Sequence, residues 1–340
     1  MTIASQRAIA FAQSCYGQIL KLDGRIPWSV DDILFQRARE NDWVVGGQVS
    51  ANGSCHLLQC ADEWLAVNLP RPSDWEDVPA WLGTDVNEHE WTRIGELLAD
   101  RPAEELVRLA QELGLAVSVV ATSNSLLDEQ QLFQQQFIEK PHSFQTGQKQ
   151  HRQLEGLQVA DFSSLWAGPL CGAVLAASGA HVTKYEAKDR PDGARFGNKA
   201  FFDRLHAQHQ FAEMDFNGAV VSEIVAQSDV VITSARPRAF AALGIDPKII
   251  TNSTTCWIAI TAYGNFGPWS NRVGFGDDLA AASGLVDDGP TFVGDAIADP
   301  LTGLYAAALA LNVGTVGGGF LDISMRDVAR SAAQQRVPQW

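Results

Sequence analysis

Cationic charge is scarce in this 340-residue chain: 25 lysines and arginines face 40 aspartates and glutamates, leaving a formal net charge of −15. So acidic a surface argues against nucleic acid and anionic membrane as partners, and any phosphate group has to meet a local basic cluster. Cysteine is sparse too. Cys15, Cys55, Cys60, Cys171 and Cys256 are odd in number and scattered, with no C-x-x-C pair; this supports neither a disulfide framework nor a zinc site and suits a reducing cytoplasm. The seven histidines show no H-E-x-x-H spacing, so no catalytic metal is expected. No strongly apolar, uncharged run reaches the ~18 residues of a membrane helix. The opening "MTIASQRAIAFAQSCYGQIL" lacks the basic start and continuous apolar core of a targeting segment. Neither a G-x-G-x-x-G turn nor a G-x-x-x-x-G-K-[ST] loop is present, which removes support for dinucleotide and triphosphate binding.

What is present is a β-α-β alternation. From Leu157 an apolar strand runs to Phe162, a Ser/Gly/Pro turn reaches Pro169, an Ala/Leu-rich helix leads to Gly179, and "HVTKYE" forms a second strand. A helix near Ala219–Gln227, the strand "DVVITS", a helix closing at "ALGI" and the strand "CWIAITAYG" continue the pattern. The fold class is therefore α/β, a Rossmann-like doubly wound parallel sheet, in which ligands sit beyond the carboxyl ends of the strands. At 46% apolar residues the chain can bury two cores. Before the sheet, two short strands, helices over Asp74–Leu82 and Ala103–Leu113, a stop at Gly114 and a last strand read as a smaller α+β module. A helix-rich stretch, Leu126–Phe137, leads into the polar "EKPHSFQTGQKQHRQLEG". The expected division is a small domain with N-terminal helices at 1–138, a linker at 139–154 and a large domain at 155–340.

One acidic residue stands out. Asp299, in "VGDAIADPLTGLYAAALALNVG", opens a long apolar helix, where desolvation and the positive helix end act on its carboxylate together. An Asp-Pro at a helix start is ordinarily a plain cap.

The ordered series "ADFSSLWAGPLCGAVLAASGAHVTKYE", "RPDGAR", "SDVVITSARPRAFAALGID", "WIAITAYGNFGPW", "VGDAIADPLTGLYAA" and "GGGFLDISMRDVA" resembles the family III CoA-transferases, a group that includes α-methylacyl-CoA racemases. The resemblance covers about residues 155–328. It implies that Asp299 attacks an acyl-CoA thioester, giving a mixed anhydride and then an aspartyl-CoA thioester from which an acceptor carboxylate leaves as the new CoA ester. Coenzyme A is then a substrate, and no cofactor is expected. It also implies dimers of interlocked subunits. The small module is similar to the family's small domain, which normally follows the nucleotide-binding half. Here it comes first, so the chain reads as a permuted arrangement or as one cut from a longer tandem ancestor.

Further expectations follow from the same resemblance. Gly46, Gly47 and Gln48 match the glycine loop that closes over the aspartate, although a plain turn between "DWVV" and "SANG" explains the two glycines as well. CoA contacts fall on Lys184, Arg190, Arg195 and Arg236, beside Arg238, and on Trp166 and Gly168 of the first turn; in water, basic residues near Asp189 and Asp192 would simply pair. The family's "N-x-x-K-R-S" run reads "HAQHQF" here, with His206 and His209 replacing permanent charges. Trp166 stands where formyl-CoA transferases carry glutamine, so it either reshapes the acyl pocket or packs in the core; Phe201, Phe202 and Trp269 are further pocket candidates. The racemase step "G-H-D" reads "GFGDD", with Phe275 and Gly276 in place of His and Asp, which removes one partner of a two-base mechanism. Asp277 and Asp278 read as N-cap and first-turn acid of the next helix, or as groups that orient a substrate or the loop around Asp299. A non-catalytic CoA-ester binder or partner subunit is the alternative to an active transferase.

Overall fold

The computed structural model describes residues 2–121, 142–146, 154–245, 254–314 and 318–336, with the backbone alone at 142–146 and 313–314. The expected helix over Leu126–Phe137 lies outside the described residues. In chain order the elements are α1 (Ile3–Lys21), α2 (Val30–Glu40), β1 (Cys55–Gln59), β2 (Trp64–Asn68), α3 (Pro72–Leu82), α4 (Trp91–Leu98), α5 (Ala103–Leu113), β3 (Ala116–Val119) and β4 (His142–Thr146). There follow β5 (Gln158–Asp161), α6 (Ala167–Ala177), β6 (His181–Ala187), α7 (Lys199–Leu205), β7 (Gln210–Met214), α8 (Gly218–Gln227), β8 (Val230–Thr233), α9 (Pro237–Ala242) and β9 (Cys256–Thr261). The chain closes with α10 (Gly276–Ala281), the hairpin β10 (Val286–Asp287) and β11 (Thr291–Phe292), α11 (Ala298–Gly314), β12 (Gly319–Ser324) and α12 (Met325–Ala333).

The large sheet has the order β4-β12-β9-β8-β5-β6-β7, parallel from β12 to β7. Numbered from β5, its six parallel strands run 3-2-1-4-5-6, the doubly wound order, with the switch point between β5 and β8. The strands β8, β9 and β12 are buried along their whole length, as a sheet covered on both faces requires. The segment expected as a linker is not wholly one: β4 pairs antiparallel with β12, in the register Gly319 with Thr146, and extends the sheet edge.

Helix α11, "ADPLTGLYAAALALNVG", is apolar all round because it is enclosed, packing on α6, α1 and α12. Its closest approach to α6 is at Gly303, where a Cβ would lie 2.7 Å from the Ala167 carbonyl and 2.9 Å from Leu170 Cβ. The N-terminal helices depart from the expected division. The buried face of α1, Ala4, Ala8, Phe11, Ala12, Cys15 and Ile19, recurs every three to four residues and packs into the large core with Ile33 and Leu34 of α2. The small unit's own core runs from Cys60 to Val117, with Trp75, Trp81 and Leu106 at its centre. A burial stripe shows that a helix packs but not against which sheet, so the sequence placed α1 and α2 with their nearest neighbours in the chain.

Candidate active site

Asp299 lies in the first turn of α11, beyond the carboxyl ends of the parallel strands. Ala296 takes a left-handed φ of 43° and turns the chain into the helix, and the Asp299 amide donates to its carbonyl at 2.9 Å. The residue is half-buried, and its carboxyl group is desolvated by what surrounds it. It rests on backbone. A Cβ at Gly276 would stand 2.1 Å from Asp299 Oδ2 and 2.4 Å from the Ala296 carbonyl oxygen, so only glycine fits where the racemase step would carry aspartate.

Other acids surround this turn. Asp277 Oδ1 accepts from the Ala296 amide at 2.8 Å and holds the turn's geometry. Asp278 Oδ1 accepts from the Phe275 amide at 2.9 Å and closes a cap on α10, as expected, and also takes a 2.8 Å bond from Asn68 of the small unit. One cation faces them. Arg37, from α2, donates through Nε and Nη2 to the two oxygens of Asp295, both at 2.6 Å, and lies 4.4 Å above the Trp166 ring.

The electrostatics follow. Desolvation pushes Asp299 up to about 7, Arg37 and the backbone N–H groups of Ala167 and Gly276 pull it back, and Asp295 raises it. Burial also pushes Asp277 up to about 7, helped by Asp295 and Asp299 and opposed by Arg37. A carboxyl group that titrates near neutrality and is pressed against N–H donors is a candidate acid, base or nucleophile.

The other expected site residues divide. Gly46 and Gly47 take φ of 105° and 98°, which glycine alone adopts freely, with open space where a Cβ would be. Gly47 accepts from the Phe292 amide at 2.9 Å, and the Gln48 side-chain amide donates to the Gly289 carbonyl at 3.2 Å. The loop is thus tied to the β10–β11 hairpin that leads to Asp295, and Trp43, just before it, lies 5.6 Å from the Arg37 guanidinium. Gly168 admits the Ser163 side chain, whose Oγ would lie 2.1 Å from a Cβ there.

Trp166 is buried beneath Arg37 and meets Phe201 edge-on at 5.0 Å, so it forms the floor of the Arg37–Asp295 pair. Lys184 is corrected. It is fully buried, pairs with Asp192 at 3.0 Å and donates to the Ser163 carbonyl at 2.6 Å, which leaves no ammonium for a ligand. Arg195 grips Glu186 through Nε and Nη2 and stacks over Phe202 and Phe211. His206 and His209 are not surface substitutes for cations either: both are buried, and desolvation pulls both below the usual histidine range, His209 to about 4. Trp269 stacks beneath Arg272 at 3.7 Å.

The exposed Arg190, with Arg236 and Arg238, forms a basic group completed by Arg71 of the small unit; desolvation and the repulsion of the other three lower the Arg236 pKa. Arg236 follows β8 and Ser234 Oγ accepts from the Ser164 amide of the β5 turn at 2.9 Å, so the group stands at the sheet's switch point. Sequence reasoning missed Arg37, Asp295 and Arg71. Nothing in "VDDILFQRARE" sets Arg37 apart from its neighbours, because its role arises only where α2 crosses the start of α11.

Residues 154–339 match the profile of CoA-transferase family III. Among curated proteins, a probable CoA-transferase of Mycobacterium tuberculosis is 24% identical over 67% of this chain and 38% of its own length. A succinyl-CoA–D-citramalate CoA-transferase of Chloroflexus aurantiacus is 25% identical over 57% of this chain and 54% of its own. A succinate–glutarate CoA-transferase of Agrobacterium fabrum is 27% identical over 52% and 51% respectively. The chain thus spans from 38% to 54% of the length of these relatives. A solved CaiB/BaiF family protein from Brucella suis aligns with a TM-score of 0.46 at 26% identity, covering 56% of this chain and 60% of that one.

Proposed function

Since the chain belongs to CoA-transferase family III, we propose that it moves coenzyme A between carboxylic acids, with Asp299 as the covalent nucleophile. The observation that carries this reading is the setting of Asp299: half-buried, at the start of an apolar helix, raised to about 7 and pressed against the Gly276 backbone.

The ionised Asp299 oxygen attacks the thioester carbonyl carbon, and the C–S bond breaks to release CoA thiolate and leave a mixed anhydride. The thiolate then attacks the aspartyl carbonyl and expels the donor acid as its carboxylate, giving an aspartyl-CoA thioester. An acceptor carboxylate attacks that thioester and frees the thiolate again. The thiolate finally attacks the acceptor's acyl carbon, forming the new acyl-CoA and restoring Asp299. Each step exchanges one carboxylate or thiolate for another, so no external acid, base or oxidant is consumed.

The N–H groups of Ala167 and Gly276 and the α11 dipole draw negative charge to this carboxyl, during the tetrahedral stages as in the resting state. Gly46, Gly47 and Gln48 are the loop that would cover the anhydride and exclude water. Arg190, Arg236 and Arg238 are the cations for the CoA phosphates, flanked by Arg71, which is paired with Asp74, and by Arg195 over its aromatic pair. The five cysteines are all buried and unpaired, which suits a reducing cytoplasm; a homodimer of interlocked subunits is what the family resemblance implies.

The test is isotope exchange. Incubation with an acyl-CoA and its radiolabelled free acid should carry label into the CoA ester, and Asp299→Ala should abolish the exchange. CoA-ester binding without exchange in the unmutated protein would favour the non-catalytic reading, for which the loss of the "N-x-x-K-R-S" cations and the burial of Lys184 speak.

A further inference from the structure

A second cluster of polar groups lies behind the active site, between β5 and the turn joining α7 to β7. Asp161, His206 and His209 each offer one ligand-type atom, and the three atoms lie within 4.8 Å of one another. Asp161 is fully buried, His206 is 4% exposed and His209 9%. Among the described residues, Asp161 Oδ2, His206 Nε2 and both ring nitrogens of His209 have no hydrogen-bond partner. Buried polar atoms are normally satisfied, and leaving several unsatisfied in one place is costly.

The surrounding bonds orient these groups rather than consume them. His206 Nδ1 lies 2.8 Å from the Phe202 carbonyl, so that nitrogen carries the proton and Nε2 presents a lone pair. Asp161 Oδ1 accepts from the Ser163 amide at 2.8 Å and from its hydroxyl, leaving Oδ2 free. Gly172 makes room for the third ligand, since a Cβ there would come within 3.1 Å of the His209 ring. An imidazole whose other nitrogen is tied to a carbonyl, beside a carboxylate with one oxygen held, is the outer-shell pattern of metal ligands. We propose that Asp161, His206 and His209 form a structural site for a divalent metal of the zinc type.

The donor set of two imidazoles and one carboxylate suits zinc and its neighbours rather than magnesium or calcium, which prefer all-oxygen sites. Zn–N and Zn–O bonds of about 2.0–2.2 Å draw tetrahedral ligands to about 3.3 Å apart, a contraction that side-chain torsions supply. Charge permits it. Lys184 lies 4.0 Å from Asp161 Oδ2 but pairs with Asp192 at 3.0 Å, so the two carboxylates exceed the ammonium by one negative charge. The metal would pin the end of β5 to the α7–β7 turn, directly behind the turn that carries Trp166 and Ala167 to Asp299. It is a fold-supporting site and takes no part in the transfer proposed above.

The experiment uses the full chain, stripped with a chelator and titrated with zinc and, as a spectroscopic probe, with cobalt(II). The expected result is one equivalent bound, visible cobalt d–d bands without thiolate charge transfer, and a raised melting temperature. His206→Gln and His209→Gln should each weaken binding by more than about 100-fold, beyond the 10–100-fold that loss of an outer-shell partner costs. Circular dichroism confirms that each variant folds, and His181→Gln, at an exposed histidine, should bind as the unmutated protein does. Less than one equivalent bound, a thiolate signature, or affinity unchanged in both glutamine variants would overturn the proposal.

Discussion

At the scale of single residues, the site depends on where side chains are missing as much as on where they are present. Gly276→Ala puts a methyl 2.1 Å from Asp299 Oδ2, so the carboxylate has to rotate away from the Gly276 and Ala167 amides. The expected result is a folded protein whose exchange rate falls by about 100-fold, since a displacement near 1 Å at a reacting group costs that much; exchange kinetics with circular dichroism check it. The pH dependence follows from the Asp299 shift. Its carboxylate is the reactive form, so the rate should rise about tenfold per pH unit below 7 and level off above it. A profile level down to pH 5 would show the group ionised there and its burial harmless. The place of Asp299 at the start of an apolar helix was legible in the sequence because helix-start and apolar-run signals meet there. Lys184 was misread because a lysine in a strand looks the same in sequence whether it faces solvent or a buried aspartate.

Among the elements, the informative junction is α2 against α11, through Arg37. The guanidinium neutralises Asp295, packs on Trp166 and moderates Asp299 and Asp277. Arg37→Met retains much of the apolar contact but leaves Asp295, 1% exposed in its side chain, as an unpaired buried charge. Breaking such a pair costs about 3–5 kcal/mol. With the cation gone, the Asp299 pKa rises further, so the pH–rate profile should move to higher pH. A denaturant titration and a pH–rate series separate the two effects; unchanged stability with an unmoved profile would show that the pair does neither. The β-α-β units, their strand order and the smaller module were readable because period and turn chemistry are local. The partners of α1 and α2, and the addition of β4 to the sheet edge, were not, because pairing across so many residues leaves no local signature.

For the molecule as a whole, buried acids make stability depend on pH in a direction opposite to ordinary ion-paired carboxylates. Asp277 rises from 3.8 to about 7 and Asp322 to about 6 on burial, so between these values the folded chain holds protons that the unfolded chain has released. Their contribution is fully present below pH 3.8 and is lost as pH rises through about 6 to 7. Asp277→Asn keeps an oxygen to accept from the Ala296 amide and removes the charge. It should therefore stabilise the protein at pH 8 by on the order of 3 kcal/mol, and by close to nothing at pH 4, in paired chemical denaturations. The two units also meet beside Asp299 within one chain: Asn68, in β2, reaches Asp278, next to the residue that holds the turn into α11.

The central claim, that Asp299 carries the acyl group and then the CoA, is tested most directly by trapping. The protein is mixed with an acyl-CoA and hydroxylamine, digested and examined by mass spectrometry, with Asp299→Ala as the control. A hydroxamate at Asp299, absent from the control, is the predicted result, whereas an unmodified Asp299 in protein that still forms the new CoA ester would contradict the account.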